Sequence, residues 1–274
     1  EEITDEDNKK KIIYKDEQGR VVLSKVQAIA SPSNGHFGWL CTYYVYDEAG
    51  NLRMVIPPRA VEVLQATSWN LAGNAAVRTG LCYGYYYDQK NRLVMKYLPG
   101  KDKSYVAYDL LGRVVMTQDP KLRQTSQWTF VKYDAQSRPV KSGLITTALS
   151  KDSVLAQASR SNDYPALSGT YTITGETYYD DYTWTSGTPL GSSLVTTHIN
   201  GTNFYSSYNA SPVYAQEIAV SSRIRGAATG SKRIITGTNS YLYTLTLYDQ
   251  YGRAIQVKES NITGGTDVAT SQFS

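Results

Sequence analysis

Six carboxylates recur in this chain at one fixed place. Asp16, Asp47, Asp88, Asp109, Asp134 and Asp249 each stand three residues before a Gly, Asn or Ser, and all but Asp47 stand four residues before an arginine. Glycoside hydrolysis needs two carboxylates flanking one bond, and a calcium loop needs carboxylates at alternating positions. Asp-x-x-Gly-Arg offers one carboxylate per copy and meets neither demand. Asp180 and Asp181 are adjacent, so on a strand they point to opposite faces and cannot flank one bond. The two histidines, His36 and His198, lie far apart in loop-like sequence, and no Ser or Cys occupies a nucleophile elbow. The residues therefore predict no catalytic site, no metal site and no cofactor, and the chain is not expected to be an enzyme.

The aspartates make better sense as turn residues. An Asp at the first position of a type I turn accepts a backbone N–H two residues on. Three residues later a three-residue hairpin needs a left-handed backbone, which Gly supplies freely, Asn tolerably and Ser137 poorly. The repeated units are Tyr14-Lys15-Asp16 to Arg20; Tyr46-Asp47 to Gly50-Asn51; Tyr87-Asp88 to Asn91-Arg92; Tyr108-Asp109 to Gly112-Arg113; Tyr133-Asp134 to Ser137-Arg138; and Tyr248-Asp249 to Gly252-Arg253. Tyrosine ends an incoming strand. Arginine begins the returning one, where it can pair with the aspartate or lie over a tyrosine ring. Each unit thus predicts a β-hairpin tip, and units that cannot bury a face alone must stack.

Composition agrees. The 274 residues include 24 Tyr but only 4 Phe and 3 Met, with 21 Gly for turns. Tyrosine suits two-faced sheets, where the ring packs and the hydroxyl reaches a partner. The net charge of +4 is spread along the chain, and its densest group, Arg223, Arg225, Lys232 and Arg233, reads as a solvated face rather than a nucleic-acid footprint. No apolar run approaches the roughly 20 residues that span a bilayer. The acidic start, Glu1 to Asp7, is no signal peptide, so an exported form would carry its signal upstream.

Repeated Tyr-Asp-x-x-Gly-Arg resembles the signature of Rhs/YD-repeat proteins, the family that includes bacterial Rhs proteins and insecticidal toxin-complex shells. Tyr43-Tyr44-Val45-Tyr46-Asp47 through Ile56-Pro57-Pro58, Leu81-Cys82-Tyr83, Tyr178 through Tyr182, and Gly226 through Gly230 are similar to its Bacteroidetes branch. The likeness covers roughly residues 14–258. It implies a mainly β fold of stacked antiparallel hairpins in a long curved sheet. It also implies a secreted or cell-surface bacterial setting, neighbouring YD repeats as partners, and a structural shell around a C-terminal toxin or effector module. In such families an aspartyl self-cleavage site begins Asp-Pro-x-Gly. Asp119-Pro120 is followed by Lys121-Leu122, so that site is not expected here. The alternative function is a surface carbohydrate- or protein-binding β domain. Trp39, Trp69, Trp128 and Trp184 are its candidate platforms, although each is expected to pack.

Two short helices are predicted, over 58–66 with proline at its start and over 150–158 with Ser150 as N-cap. Residues 185–215 read as loops and short edge strands. The repeats pause near 145, which suggests a hairpin sheet over 1–145 and its continuation, with a helical insertion and long loops, over 146–274, or else one domain. Cys41 and Cys82 each stand five residues before a motif tyrosine, which places them close in space if successive units stack in register. Two separate buried thiols and a disulfide both remain open. Asn200, Asn209 and Asn261 begin Asn-x-Ser/Thr triplets, which are incidental in a bacterial protein.

Overall fold

A computed structural model describes residues 1–6, 8–208 and 215–274. Asn209 lies outside these. The described chain is mainly β: sixteen strands hydrogen-bond in chain order in one antiparallel sheet, with four short α-helices. It divides into two compact units, Glu1–Trp128 with Thr146–Tyr164, and Thr129–Ile145 with Pro165–Ser274.

The first unit runs β1 (Glu2–Thr4), β2 (Lys10–Lys15), β3 (Val21–Gln27), β4 (Trp39–Tyr46), β5 (Leu52–Ile56), α1 (Pro58–Ala66), α2 (Ala75–Gly80), β6 (Tyr83–Tyr87), β7 (Leu93–Tyr97), β8 (Ser104–Tyr108), β9 (Val114–Gln118) and α3 (Pro120–Gln124). It also holds α4 (Lys151–Ala158). The two expected helices form as α1 and α4. Pro58 opens α1, and Ser150 caps α4 by accepting the Ser153 N–H at 3.2 Å. Two helices were not expected. The Asn74 side chain caps α2, and Asp119-Pro120 supplies both the cap and the first-turn proline of α3. Ala60, Val61 and Leu64 turn one face of α1 into a core that also holds Cys41, Ile56, Val77 and Cys82. Both cysteines are thiols, each buried in this one core, and no disulfide joins them.

The second unit holds most of β10 (Gln127–Tyr133), then β11 (Pro139–Thr146), β12 (Tyr171–Tyr179), β13 (Ala228–Ile234), β14 (Tyr241–Tyr248), β15 (Ala254–Ser260) and β16 (Thr266–Thr270). Its core gathers Leu190, Ile218, Leu245, Leu247 and Ile255. Leu190 and Ile218, which lie between β12 and β13 in the chain, pack there against the strand residues. Trp184 sits over Gly230, where any Cβ would meet the indole at 2.1 Å. Gln256 holds the Val195 backbone at both its N–H and its C=O, 2.9 Å each.

Candidate functional site

The feature repeated along both units is the hairpin tip. At Asp88 the backbone closes with Asp88 N–H to Arg92 C=O and Asn91 N–H to Asp88 C=O, both 3.0 Å. The carboxylate then does three things. One oxygen accepts the N–H of Lys90 at 2.9 Å and of Arg92 at 3.0 Å, and the other accepts the Arg92 Nε at 2.8 Å. Asp16, Asp134 and Asp249 repeat all three contacts with the residues two and four positions on. Asp109 holds the Arg113 N–H and Nε at 2.8 and 2.6 Å, and its side chain is wholly buried. Asp47 meets Asn51 instead, and Arg53 reaches back to it from 3.7 Å. At Asp16, Asp47, Asp88, Asp134 and Asp249 the hydrogen bonds and cations outweigh burial and hold the carboxyls below the ordinary range.

The fourth residue of each tip is left-handed: Gly19, Gly50, Gly112 and Gly252 have φ between 78° and 83°, Asn91 has 56° and Ser137 has 63°. Just behind the tips at Asp16, Asp47, Asp88, Asp109 and Asp249 the pairing slips by one residue, as between Ala107 and Tyr108. The extra residue sits on the returning strand, and at two of these bulges it is buried: Val115 is 1% exposed and Ile255 2%.

Successive tips interlock through the motif tyrosine. Its hydroxyl donates to the C=O of the first residue of the preceding returning strand: Tyr46 to Val21 and Tyr87 to Leu52 at 3.1 Å, Tyr108 to Leu93 at 3.0 Å. In the second unit Tyr179 reaches Pro139 at 3.3 Å and Tyr248 reaches Ala228 at 2.8 Å. The preceding arginine also covers the next ring. Arg20 lies 4.8 Å from the Tyr46 centroid, Arg92 4.7 Å from Tyr108 and Arg138 4.2 Å from Tyr179. Tyr133 ends β10 at the equivalent place. Tyr14 is not equivalent: the register shift falls between Tyr14 and Lys15, so Lys15 stands where the other units have tyrosine.

Three further tips escaped the sequence pattern. Asp5 closes β1–β2 with Asn8 left-handed at φ 59°, and Asn261 closes β15–β16 with Gly264 at 86°. The third is divided. Asp180 N–H bonds to Ala227 C=O at 3.1 Å, Gly226 has φ 89°, and the pairing slips between Tyr178 and Tyr179 as at the other tips. Tyr179-Asp180 and Gly226 therefore form one Tyr-Asp…Gly tip with 181–225 inserted. Ala227 stands where arginine is needed. Arg138 supplies the missing cation by placing both terminal nitrogens on Asp180 while its Nε keeps Asp134. With the Gly226 N–H on the same carboxylate, Asp180 is drawn down to about 2.

The other candidate residues serve local structure. Asp181 accepts the Thr183 N–H at 2.8 Å, and Trp184 stacks on Tyr178 with centroids 4.4 Å apart. Lys232 pairs with Glu176 at 3.2 Å. His36 bonds to the Tyr43 hydroxyl at 2.7 Å, and the His198 C=O accepts from Asn203. Asn200 accepts the Thr202 N–H in a turn. Among the described residues no group of three or more His, Cys, Asp or Glu side chains gathers to hold a metal, and no helix is long and apolar enough to cross a membrane.

No protein-family model matches the chain, and no curated protein matches it. Among solved structures it is similar to a Photorhabdus luminescens Tc holotoxin pore, with 13% identity and a TM-score of 0.46 over 97% of this chain and 12% of that one. A TcdB2-TccC3-Cdc42 crystal structure shares 12% identity with a TM-score of 0.46, over 95% of this chain and 12% of that one. For TcdB2-TccC3 without its hypervariable C-terminal region the values are 13% and 0.45, over 97% and 12%. The chain thus spans about 12% of the length of the chains it is similar to.

Proposed function

We propose that this chain is a non-catalytic structural segment of an exported Rhs/YD-repeat shell, one that encloses, displays or delivers a C-terminal module. The observation that carries this reading is the interlock: the hydroxyl of one motif tyrosine holds the backbone of the preceding hairpin. Such a device extends a sheet by repetition and leaves no motif side chain over for chemistry. Each repeated carboxylate is committed to its own turn, and Asp180 is committed to Arg138 and Gly226. Purified protein is expected to leave a panel of glycans and peptides intact; turnover that disappears in Asp180→Asn would defeat the non-catalytic part of this reading.

The shell reading is tested on the complete gene product. A module C-terminal to these repeats should resist trypsin within the intact protein and be digested when expressed alone. Equal digestion in both settings, or a gene product that contains no such module, would overturn it.

A further inference from the structure

Two Asn-Gly pairs stand outside the hairpin tips, Asn34-Gly35 and Asn200-Gly201. Glycine has no side chain to keep its amide nitrogen away from the carboxamide before it, so that nitrogen can attack the amide carbon and close a five-membered ring. The two pairs are held differently. Asn200 has its carboxamide oxygen on the Thr202 N–H at 3.1 Å, and its C=O accepts from Asn203 and Phe204 at 3.0 and 2.8 Å. Asn34 is exposed, and among the described residues its carboxamide has no partner. The Gly35 N–H donates to the Ser33 Oγ at 3.2 Å. Gly35 is not left-handed, and a Cβ there would meet only the Ser33 Oγ at 3.6 Å, an ordinary contact. The fold therefore does not demand glycine at this place.

The backbone around Asn34 is fixed. The Ser33 N–H bonds to the Phe37 C=O at 3.0 Å, the Trp39 indole N–H to the Ser33 C=O at 2.8 Å, and the Lys25 ammonium to the Asn34 C=O at 3.1 Å. Lys25 is 5% exposed, and its ammonium lies 5.2 Å from the Trp39 ring centroid. Among the described residues no carboxylate pairs with it. Glu2, which lines the same groove, is taken by Lys10 at 2.7 Å. A buried ammonium satisfied by neutral groups alone is short of a counter-charge. Lys25 and Asn34 both line this groove of about 560 Å³, which has room for water to reach the carbonyl between them.

We propose that Asn34-Gly35 is a self-modification site at which the chain converts to isoaspartate, with the new α-carboxylate seated on the Lys25 ammonium. The Gly35 nitrogen attacks the Asn34 side-chain carbonyl carbon and gives its proton to solvent. The carboxamide nitrogen takes up a proton and leaves as ammonia, which completes a succinimide ring. Water then adds to the ring at the former Asn34 backbone carbonyl. The oxygen there is the one that Lys25 holds, so the ammonium stabilises the oxyanion of this addition in preference to one at the side-chain carbonyl. The bond from that carbon to the Gly35 nitrogen breaks. The nitrogen takes back a proton and keeps its bond to the former side-chain carbonyl, so the main chain now runs through the side chain and the α-carboxylate is free. Water is consumed, ammonia is released, and nothing is oxidised or reduced.

The test incubates the purified protein in mildly alkaline buffer and follows the peptides holding Asn34 and Asn200 by mass spectrometry. Electron-transfer fragmentation and labelling by an isoaspartyl methyltransferase separate isoaspartate from aspartate. Asn34 should convert in the folded protein, and faster than Asn200. Its ratio of isoaspartate to aspartate should stand about threefold or more above the ratio reached in urea. Lys25→Met should bring that ratio back to the urea value. Gly35→Ala should lose the conversion and keep the fold, since its Cβ has room. Should Lys25→Met lose its near-ultraviolet dichroism, the decision rests on the urea comparison and Gly35→Ala. No conversion of Asn34, conversion no faster than at Asn200, or one product ratio shared by the folded protein, the urea sample and folded Lys25→Met overturns the proposal.

Discussion

Two tyrosines in neighbouring strands allow one chemical change to be read with opposite signs. Tyr108 donates its hydroxyl to the Leu93 C=O, whereas the Tyr97 hydroxyl is buried without a partner among the described residues and its residue is 4% exposed. Tyr97 owes its burial to Gly84, its cross-strand partner, because a Cβ there would sit 2.1 Å from the ring. Burial pushes the Tyr97 hydroxyl up to about 12. Converting Tyr108 to Phe removes a hydrogen bond and strands a carbonyl, at a cost of about 1 kcal/mol. Converting Tyr97 to Phe removes only an unsatisfied group whose desolvation costs about 1 kcal/mol or more, so the protein should gain that amount. With a urea slope of about 2 kcal/mol/M, each change moves the midpoint by about 0.5 M, downward for Tyr108→Phe and upward for Tyr97→Phe. Circular dichroism during urea titration reads both. A Tyr97→Phe midpoint that falls as far as that of Tyr108→Phe would show that the Tyr97 hydroxyl has a partner, and the reasoning would fail.

Other perturbations follow from the tips. Gly112→Val should cost about 1 kcal/mol or more, because φ there is 83°, while the nearest atom to a Cβ is 3.6 Å away, so the cost is backbone strain and not a clash. An unchanged urea midpoint would refute it. Asp109→Asn should cost about 3 kcal/mol, since Arg113 loses a wholly buried carboxylate, and urea titration should show a smaller loss for Asp16→Asn at its more open tip. For Asp180 the folded pKa is depressed, so its contribution is complete above the ordinary carboxylate value near 4 and fades as pH falls toward about 2. Wild type and Asp180→Asn should therefore differ in melting temperature at neutral pH and converge at about pH 2. Cys41 and Cys82 should resist a thiol reagent in the native protein and both react in urea; burial pushes Cys82 up to about 11.

Much of the fold was legible because the turn chemistry is local. An Asp and a residue that tolerates left-handed φ, three apart, suffice to place a tip, and the six repeated copies fall on hairpin ends. Ser137 shows how far context carries the rest: a poor left-handed residue is held at φ 63° while Asp134 and Arg138 lock the turn around it. What the pattern missed was missed for physical reasons. Asp5-Asn8 lacks a tyrosine and an arginine, and Asn261-Gly264 lacks the carboxylate, so the backbone bonds and the side-chain oxygen on the N–H four residues on identify them. The left-handed backbone of Ser68 and Trp69 left no signal in the sequence, since neither residue is a glycine.

The divided tip shows what the repeat actually conserves. Asp180 and Gly226 are 46 residues apart, yet the glycine N–H still bonds to the aspartate, here at its carboxylate where the other tips use the backbone C=O, and the strands still pair with the same slip. Chain continuity through the turn is therefore dispensable, and a cation still reaches the aspartate: with Ala227 in the arginine position, Arg138 spans two carboxylates. Removing Arg138 should then damage two tips where removing Arg20 damages one. Arg138→Ala is expected to lower the urea midpoint more than Arg20→Ala, even though both arginines also cover a tyrosine ring. Installing the absent residue separates the causes. In an Arg138→Ala background, Ala227→Arg should recover the part of the loss that belongs to Asp180 and none of the part that belongs to Asp134. Full recovery would mean that Asp134 never needed its guanidinium, and no recovery would mean that Asp180 is held by Gly226 alone.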